Sequence, residues 1–429
     1  MQILARNLVK TLYRMARVNL SLAAALAVGV MAQPALAANW SSTSTISPAL
    51  QPDPTRDSQL NDVAVNASGL TVAAWDQYKF YAPVSASVGI AIQSGERWAS
   101  PCTFSCAGIP DQAPDNLTGA DIVCAPTTSG FKGFSMTPKV AVGADGTMAV
   151  SWTYQDSALL GQKVQVNANA KAVAVNDAGD LVGADLTGAW FYSNGNVAYT
   201  DSSTSGTSGT RLFALNNNGV AVGMSYVSGI YQPVTYQFNG VPSPVLSHGY
   251  ATVDINDAGM ITGWFKNGNV EQSFVADAAG NITPIPNLDP AINCRSVRIS
   301  QANNGNVWVV GNCAGNRPFR YELTSGTLTE LTFAGSSNLS VVSVNRQGVT
   351  VGTAVKPGAY APDGYTALVW LNDPASPTDL NANQAFAPAS ANGIAWNVHA
   401  TDINEAGTIL TGYNDTSGNF YTFLLSPAP

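Results

Sequence analysis

One unit recurs along this chain and leaves its fold little freedom: a short run of β-forming residues, Asn-x-x-Gly, and a second β run. It reads VAVNDAGDLVG at 173–183, FALNNNGVAVG at 213–223, VDINDAGMITG at 253–263, VSVNRQGVTVG at 342–352 and TDINEAGTILTG at 401–412. The turn glycine falls at Gly69, Gly146, Gly179, Gly219, Gly259, Gly305, Gly348 and Gly407, so eight copies are visible, most of them 33 to 46 residues apart. A period near 40 with strand signals is that of propeller blades, and the apolar residues at helical spacing that a helical repeat needs are missing. The expected fold is therefore all-β, a single β-propeller. Eight blades are favoured, with seven as the alternative because the 33-residue second copy is short of one strand.

Asn at the first turn position and Gly at the last suit a type I turn whose final residue has positive φ, which glycine adopts without steric cost. A calcium loop is the competing reading of NDAG. It needs oxygen ligands at fixed offsets. The first position is Asn66, Asn176, Asn216, Asn256, Asn345 and Asn404 but also Gly143 and Ala302, and the next includes Arg346, so the repeat reads as a turn. Gly183, Gly223, Gly263 and Gly352 follow four residues after the turn glycine, where glycine within a strand permits close backbone approach. In the first two copies Trp75 and Trp152 follow six residues after it, as blade packing or as pocket aromatics.

The units INDAGMITG through QSFVAD, VNRQGVTVG through TALVW and INEAGTILTG through YTFLL resemble the HAF repeats of exported bacterial proteins, over residues 170–425. In those repeats an Asn-x-x-Gly turn and a Val-Gly strand precede a His-Ala-Phe-like strand. Here Gln272, Thr366 and Tyr421 stand in place of that His, so no role tied to it carries over. The first two copies are similar to the Trp-bearing repeats of sialidase-like propellers. Both resemblances imply a propeller and neither implies a reaction.

The last copy ends after three strands, and the segment Asn39–Ser47 (NWSSTSTIS) alternates polar and apolar residues with no hairpin partner nearby. That segment is expected to complete the last blade and close the ring, which removes exposed sheet edges. Ahead of it, Arg6, Lys10, Arg14 and Arg17, the run LSLAAALAVGV and the motif ALA read as a signal peptide over 1–37, cut near Ala37. The domain expected after it is 38–429, secreted or periplasmic, with a cysteine-bearing insertion at about 99–136. Further Pro- and Gly-rich insertions fall at 355–364 and 374–396. No later stretch approaches the roughly 18 apolar residues of a membrane span, so no membrane insertion is expected after cleavage. Cleavage leaves 15 basic against 27 acidic residues, a net charge of −12 that argues against nucleic acid.

Five cysteines lie beyond residue 37, and an oxidising compartment favours pairing. Cys294 and Cys313 fall within one repeat and are the expected disulfide. Cys102, Cys106 and Cys124 crowd one insertion, and their pairing stays open.

Catalytic templates are missing: there is no Gly-x-Ser-x-Gly, no His-Glu-x-x-His, no Cys-x-x-Cys and no phosphate loop. His248 and His399 are the only histidines and five glutamates are present, so catalytic residues stay unassigned, and no metal or cofactor is expected. Eight arginines lie beyond residue 37. Four of them, Arg295, Arg298, Arg317 and Arg320, fall within 26 residues of the sixth copy, a candidate clamp for an anionic ligand. Trp190, Tyr192 and Trp264, with Tyr226 and Tyr231, are candidates for stacking on sugar rings. These features favour an exported propeller that binds an extracellular glycan or surface protein. A hydrolase or lyase acting on an extracellular polysaccharide is the alternative, and a structural surface protein the second alternative.

Overall fold

Among the described residues the chain forms β-strands and no helix, gathered into eight antiparallel sheets. The computed structural model describes residues 40–45, 57–65, 71–79, 85–94, 97–98, 102–104, 135–142, 148–154, 157–160, 164–168, 171–184, 188–200, 207–227, 230–246, 250–356, 364–381, 396–414 and 420–427. Before residue 173 it describes the backbone alone. The segment 1–37 and most of the insertions at 99–136, 355–364 and 382–395 lie outside these residues, as do Cys106, Cys124 and His248.

Sheets one to seven each use four consecutive strands in chain order. The fifth sheet, for instance, is Ala251–Ile255, Ile261–Asn267, Val270–Ala276 and Ile282–Pro284. The first sheet has an added strand, Cys102–Phe104, against its third. The second copy, expected to lack a strand, has all four: Ser135–Val142, Met148–Tyr154, Ser157–Leu160 and Val164–Ala168. Its short period comes from short strands and tight connections. The eighth sheet takes three strands from the C-terminal region, and its fourth is Trp40–Thr45, which pairs antiparallel with Phe420–Pro427. Consecutive sheets pack on one another, and the first strand of sheet one packs on Phe420–Pro427 of sheet eight. This is the layout of propeller blades.

The core is correspondingly a series of layers between neighbouring sheets. Between sheets seven and eight, Val349, Val351, Val369 and Leu380 meet Val398, Ile403, Ile409 and Leu425. Between sheets six and seven, Val310 and Leu331 meet Val341, Leu368 and Trp370. Each such side chain contributes about 1.5–3 kcal/mol on burial, so stability is distributed through the layers.

In all eight sheets the register between the first and second strands slips, as between Thr252 and Asp254 in sheet five. Such bulges bend and twist the strand. They also explain the glycines of the second strand. Gly263 sits opposite Thr252, just before the bulge, and a Cβ there would lie 2.2 Å from the Ala251 carbonyl oxygen. No other residue fits without moving backbone. At the turns, Gly348 has φ of +80°, and a Cβ would lie 2.6 Å from the Trp308 ring.

The turn asparagines do more than shape a turn. Asn216 Oδ1 accepts the backbone N–H of Asn218 (3.1 Å) and of Val220 (2.9 Å), while its Nδ2 donates to the Asn256 carbonyl of the next sheet (3.1 Å). Asn176 does the same toward Asn216 (3.1 Å), Asn256 toward Ser300 (3.0 Å) and Asn345 toward Asn404 (3.3 Å). A second ladder runs beside it. The backbone N–H groups of Asp177, Asn217, Asp257 and Arg346 donate to the side chains of Asn217, Asp257, Gln301 and Glu405, each one sheet further on. The Asn-x-x-Gly motif is thus both a turn and a clasp between sheets. In sheet six the structural counterpart of the asparagine is Ser300 rather than Ala302: Ser300 N–H bonds to the Trp308 carbonyl, as Asn256 N–H does to Met260. That turn is four residues longer, which displaces the strand glycine to Gly311.

Candidate functional site

The sheets have two unlike ends. One carries the clasped turns. At the other lie the hairpins joining second to third strands and the connections between sheets, and the insertion at 355–364 and the later part of that at 374–396, beyond Asp379, leave from this loop end.

A side-chain group on the loop end spans sheets five and six. Trp264, on the second strand of sheet five, stacks on Tyr250 (ring centroids 4.9 Å apart, planes 20° apart). The Arg295 guanidinium, from the first strand of sheet six, lies 4.2 Å from the centre of the Trp264 ring. Glu271 grips Arg295 in a two-point fork, accepting from Nε and Nη2 at 2.6 Å each. Buried hydroxyls on both sides of Arg295 hold the two sheets in place: Ser273 donates to the Cys294 carbonyl (3.2 Å) and Ser296 to the Gly263 carbonyl (2.7 Å). The Glu271 hydrogen bonds and charge hold the Arg295 pKa above its ordinary value. The pair carries no net charge, and Arg295 remains about half exposed.

On the neighbouring sheet four, Tyr226 and Tyr231 face each other across the second hairpin, ring centroids 5.1 Å apart and edge on. Tyr226, Tyr231 and Ile230 are 39%, 42% and 46% exposed, which places an aromatic and aliphatic patch at the surface. Thr252 Oγ1 bonds to the Gly223 and Val234 carbonyls of sheet four. Tyr226 and Tyr231 each lie three residues from those anchor points, toward the hairpin tip. Tyr250 lies two residues before Thr252, so both aromatic groups share the loop end of adjacent sheets.

The four arginines of copy six are not gathered into a clamp. Arg295 is held by Glu271. Arg317 forms its own fork with Glu330 (2.7 Å twice). Arg298 lies 3.9 Å from Asp254, whose burial raises its carboxyl pKa against the opposing pull of Arg298, and whose Oδ2 accepts the Ile299 N–H. Arg320 is buried, donates to the carbonyls of Gly348 and Leu371 (2.7 Å each) and sits 5.2 Å from the Trp308 ring, a link between sheets six and seven. Separate partners, three carboxylates and a pair of backbone carbonyls, occupy what looks like a cluster in the sequence.

Trp190 and Tyr192 also belong elsewhere. Both are buried against Leu181 in the layer of sheet three, so neither offers a ring face to a ligand. Cys294 and Cys313 are joined by a disulfide, directly opposite one another on the first two strands of sheet six. His399 packs against Tyr365 (4.9 Å), and burial pushes its pKa down. Among the described residues, no group of three or more His, Cys, Asp or Glu side chains is placed to hold a metal ion. Nor is any helix there long and apolar enough to cross a membrane. Tyr250 and Glu271 are the site residues that sequence reasoning missed. Tyr250 carried a signal, an aromatic immediately before a first strand.

No family model matches the chain, and no curated sequence matches it. Among solved structures it is similar to a catalytically inactive virginiamycin B lyase from Staphylococcus aureus with quinupristin, at 11% identity and a TM-score of 0.38, covering 86% of this chain and 95% of that one. An oligogalacturonate lyase in complex with manganese shows 10% identity and a TM-score of 0.40, covering 87% and 97%. The oligogalacturonate lyase from Vibrio parahaemolyticus shows 9% and 0.42, also covering 87% and 97%. At these scores the likenesses carry no argument about what this chain does.

Proposed function

We propose that this chain is an exported β-propeller of eight blades, of the HAF-repeat type, with its ring closed by Trp40–Thr45, and that it binds an extracellular carbohydrate through the loop end. The carrying observation is the Tyr250–Trp264–Arg295 group. Its indole and guanidinium lie 4.2 Å apart and are held by Glu271 and two serine latches, with the exposed Tyr226 and Tyr231 at the same end of the neighbouring sheet. Aromatic rings offer apolar faces for the C–H side of a sugar, while phenol and carboxylate oxygens offer hydrogen bonds to its hydroxyls. Rigid strands that fix such groups beside long loops are a common setting for recognition. Export rests on the basic, apolar and Ala-x-Ala order of residues 1–37, and the ring on the packing of sheet one against sheet eight.

The test is a panel of polysaccharides presented to the secreted protein, recording retention and released product together. Retention without product is expected. Product release would make the chain a polymer-cleaving enzyme, and silence across the panel would remove the carbohydrate reading.

A further inference from the structure

Resting on the carbohydrate reading, we infer that the loop end takes an uncharged sugar chain, and that Tyr226 with Tyr231 forms one stacking subsite and Tyr250, backed by Trp264, marks the next. The first argument is charge. Each ion pair described at this end is balanced: Arg295 with Glu271, Arg317 with Glu330, and Lys356 with Asp379 at 3.6 Å. An anionic ligand reaching for Arg295 has to displace Glu271 from its fork or sit beside that carboxylate. Either course costs as much as the contact returns. The body behind it carries net −12 once residues 1–37 are removed, which repels an anion at long range as well.

The second argument is surface. Among the described residues, large apolar side chains are exposed here, in sheet four at Tyr226, Ile230 and Tyr231. Tyrosine combines a ring face with a hydroxyl, which matches a sugar's apolar faces and polar rim. The third argument is adjacency. The Thr252 bonds to Gly223 and Val234 register sheet five against sheet four at this end. The two aromatic groups therefore follow one another from sheet to sheet, and an oligosaccharide reaching both should bind better than a monosaccharide.

The experiment is calorimetric titration of the full secreted protein with neutral probes (cello-, xylo- and manno-oligosaccharides) and anionic ones (alginate and hyaluronan oligosaccharides), at low and high salt. At least one neutral series should bind, with affinity that rises with chain length and is insensitive to salt. Tyr226→Ala with Tyr231→Ala should weaken it about tenfold, two lost stacking contacts. Tyr226→Phe with Tyr231→Phe, which keeps both rings, should retain most of the affinity and shows that the alanine loss is not misfolding. Salt-sensitive binding of the anionic probes alone, or neutral binding that ignores the Tyr→Ala pair, overturns the inference while leaving a carbohydrate-binding protein. Binding of neither class overturns the carbohydrate reading itself.

Discussion

The turn end and the loop end of the sheets are made from the same strands, yet their chemistry differs in kind. At the turn end one side chain does one job repeatedly: Asn176, Asn216, Asn256 and Asn345 each bond their own turn and reach the next sheet. At the loop end the hydroxyl latches of Thr252 and Ser296 recur, but among the described residues the exposed aromatic and charged groups differ from sheet to sheet. Sheet four has a tyrosine pair, sheets five and six share a stacked arginine, and sheet seven has Lys356 with Asp379. What repeats serves assembly, and what does not repeat is where recognition has room to arise.

The comparison can be broken at several strengths. The largest expected effect is from deleting residues 40–45, which removes five cross-strand pairs and leaves sheet eight with an open edge. A loss of roughly 3–5 kcal/mol is expected, and an unchanged melting temperature would refute the role of that strand. Replacing Cys294 and Cys313 by alanine opens a crosslink between residues 19 apart and should cost roughly 3 kcal/mol, read from denaturant midpoints without reductant. Asn216→Ala strands two turn N–H groups and removes one of the two hydrogen bonds to the Asn256 carbonyl, for about 2 kcal/mol. Tyr226→Ala, at the other end, should leave the melting temperature within error. If the two variants are equally destabilising, the division between ends fails.

The smallest effect is pH-dependent. Hydrogen bonds from Arg317 hold the Glu330 carboxyl below its usual pKa, so the pair stabilises the fold above the ordinary glutamate range. That contribution is lost as pH falls through the depressed value. Both groups are partly exposed, so Glu330→Gln should cost under about 1 kcal/mol at neutral pH. Melting curves of the two proteins should converge in acid, and a gap that widens instead would assign the difference to something other than this pair.

The strands and turns were legible because their causes are local. Gly179, Gly219 and Gly259 sit at φ of +79°, +71° and +78°, a demand that a single residue type answers at a fixed spacing. The partner of each asparagine was not legible, since Asn216 Nδ2 meets a carbonyl 40 residues away whose own side chain is irrelevant to the bond. The same holds for the arginines. Twenty-six residues of sequence bring four cations close in number, but partners distant in the chain, such as Glu271 from the preceding sheet, decide what each one contacts. Trp190 was readable as a large aromatic, and only the layer above it decides that its face is covered. In sheet six the longer turn hid Ser300 behind a shifted glycine.

The pairing of Trp40–Thr45 with Phe420–Pro427 has a consequence in time. A chain that emerges N-terminus first releases this strand long before its partner, with the strands of seven other sheets made in between. Sheets three to seven can form from contiguous segments as they appear, whereas the eighth waits until Phe420–Pro427 has been made. Joining ends so distant along the chain makes that step the one of greatest sequence separation, the kind of contact that forms slowly. Until it forms, Phe420–Pro427 presents unpaired backbone to any other strand, including the Trp40–Thr45 segment of a second copy. The interval between making Phe420–Pro427 and seating Trp40–Thr45 on it is therefore when exchange between molecules competes with folding.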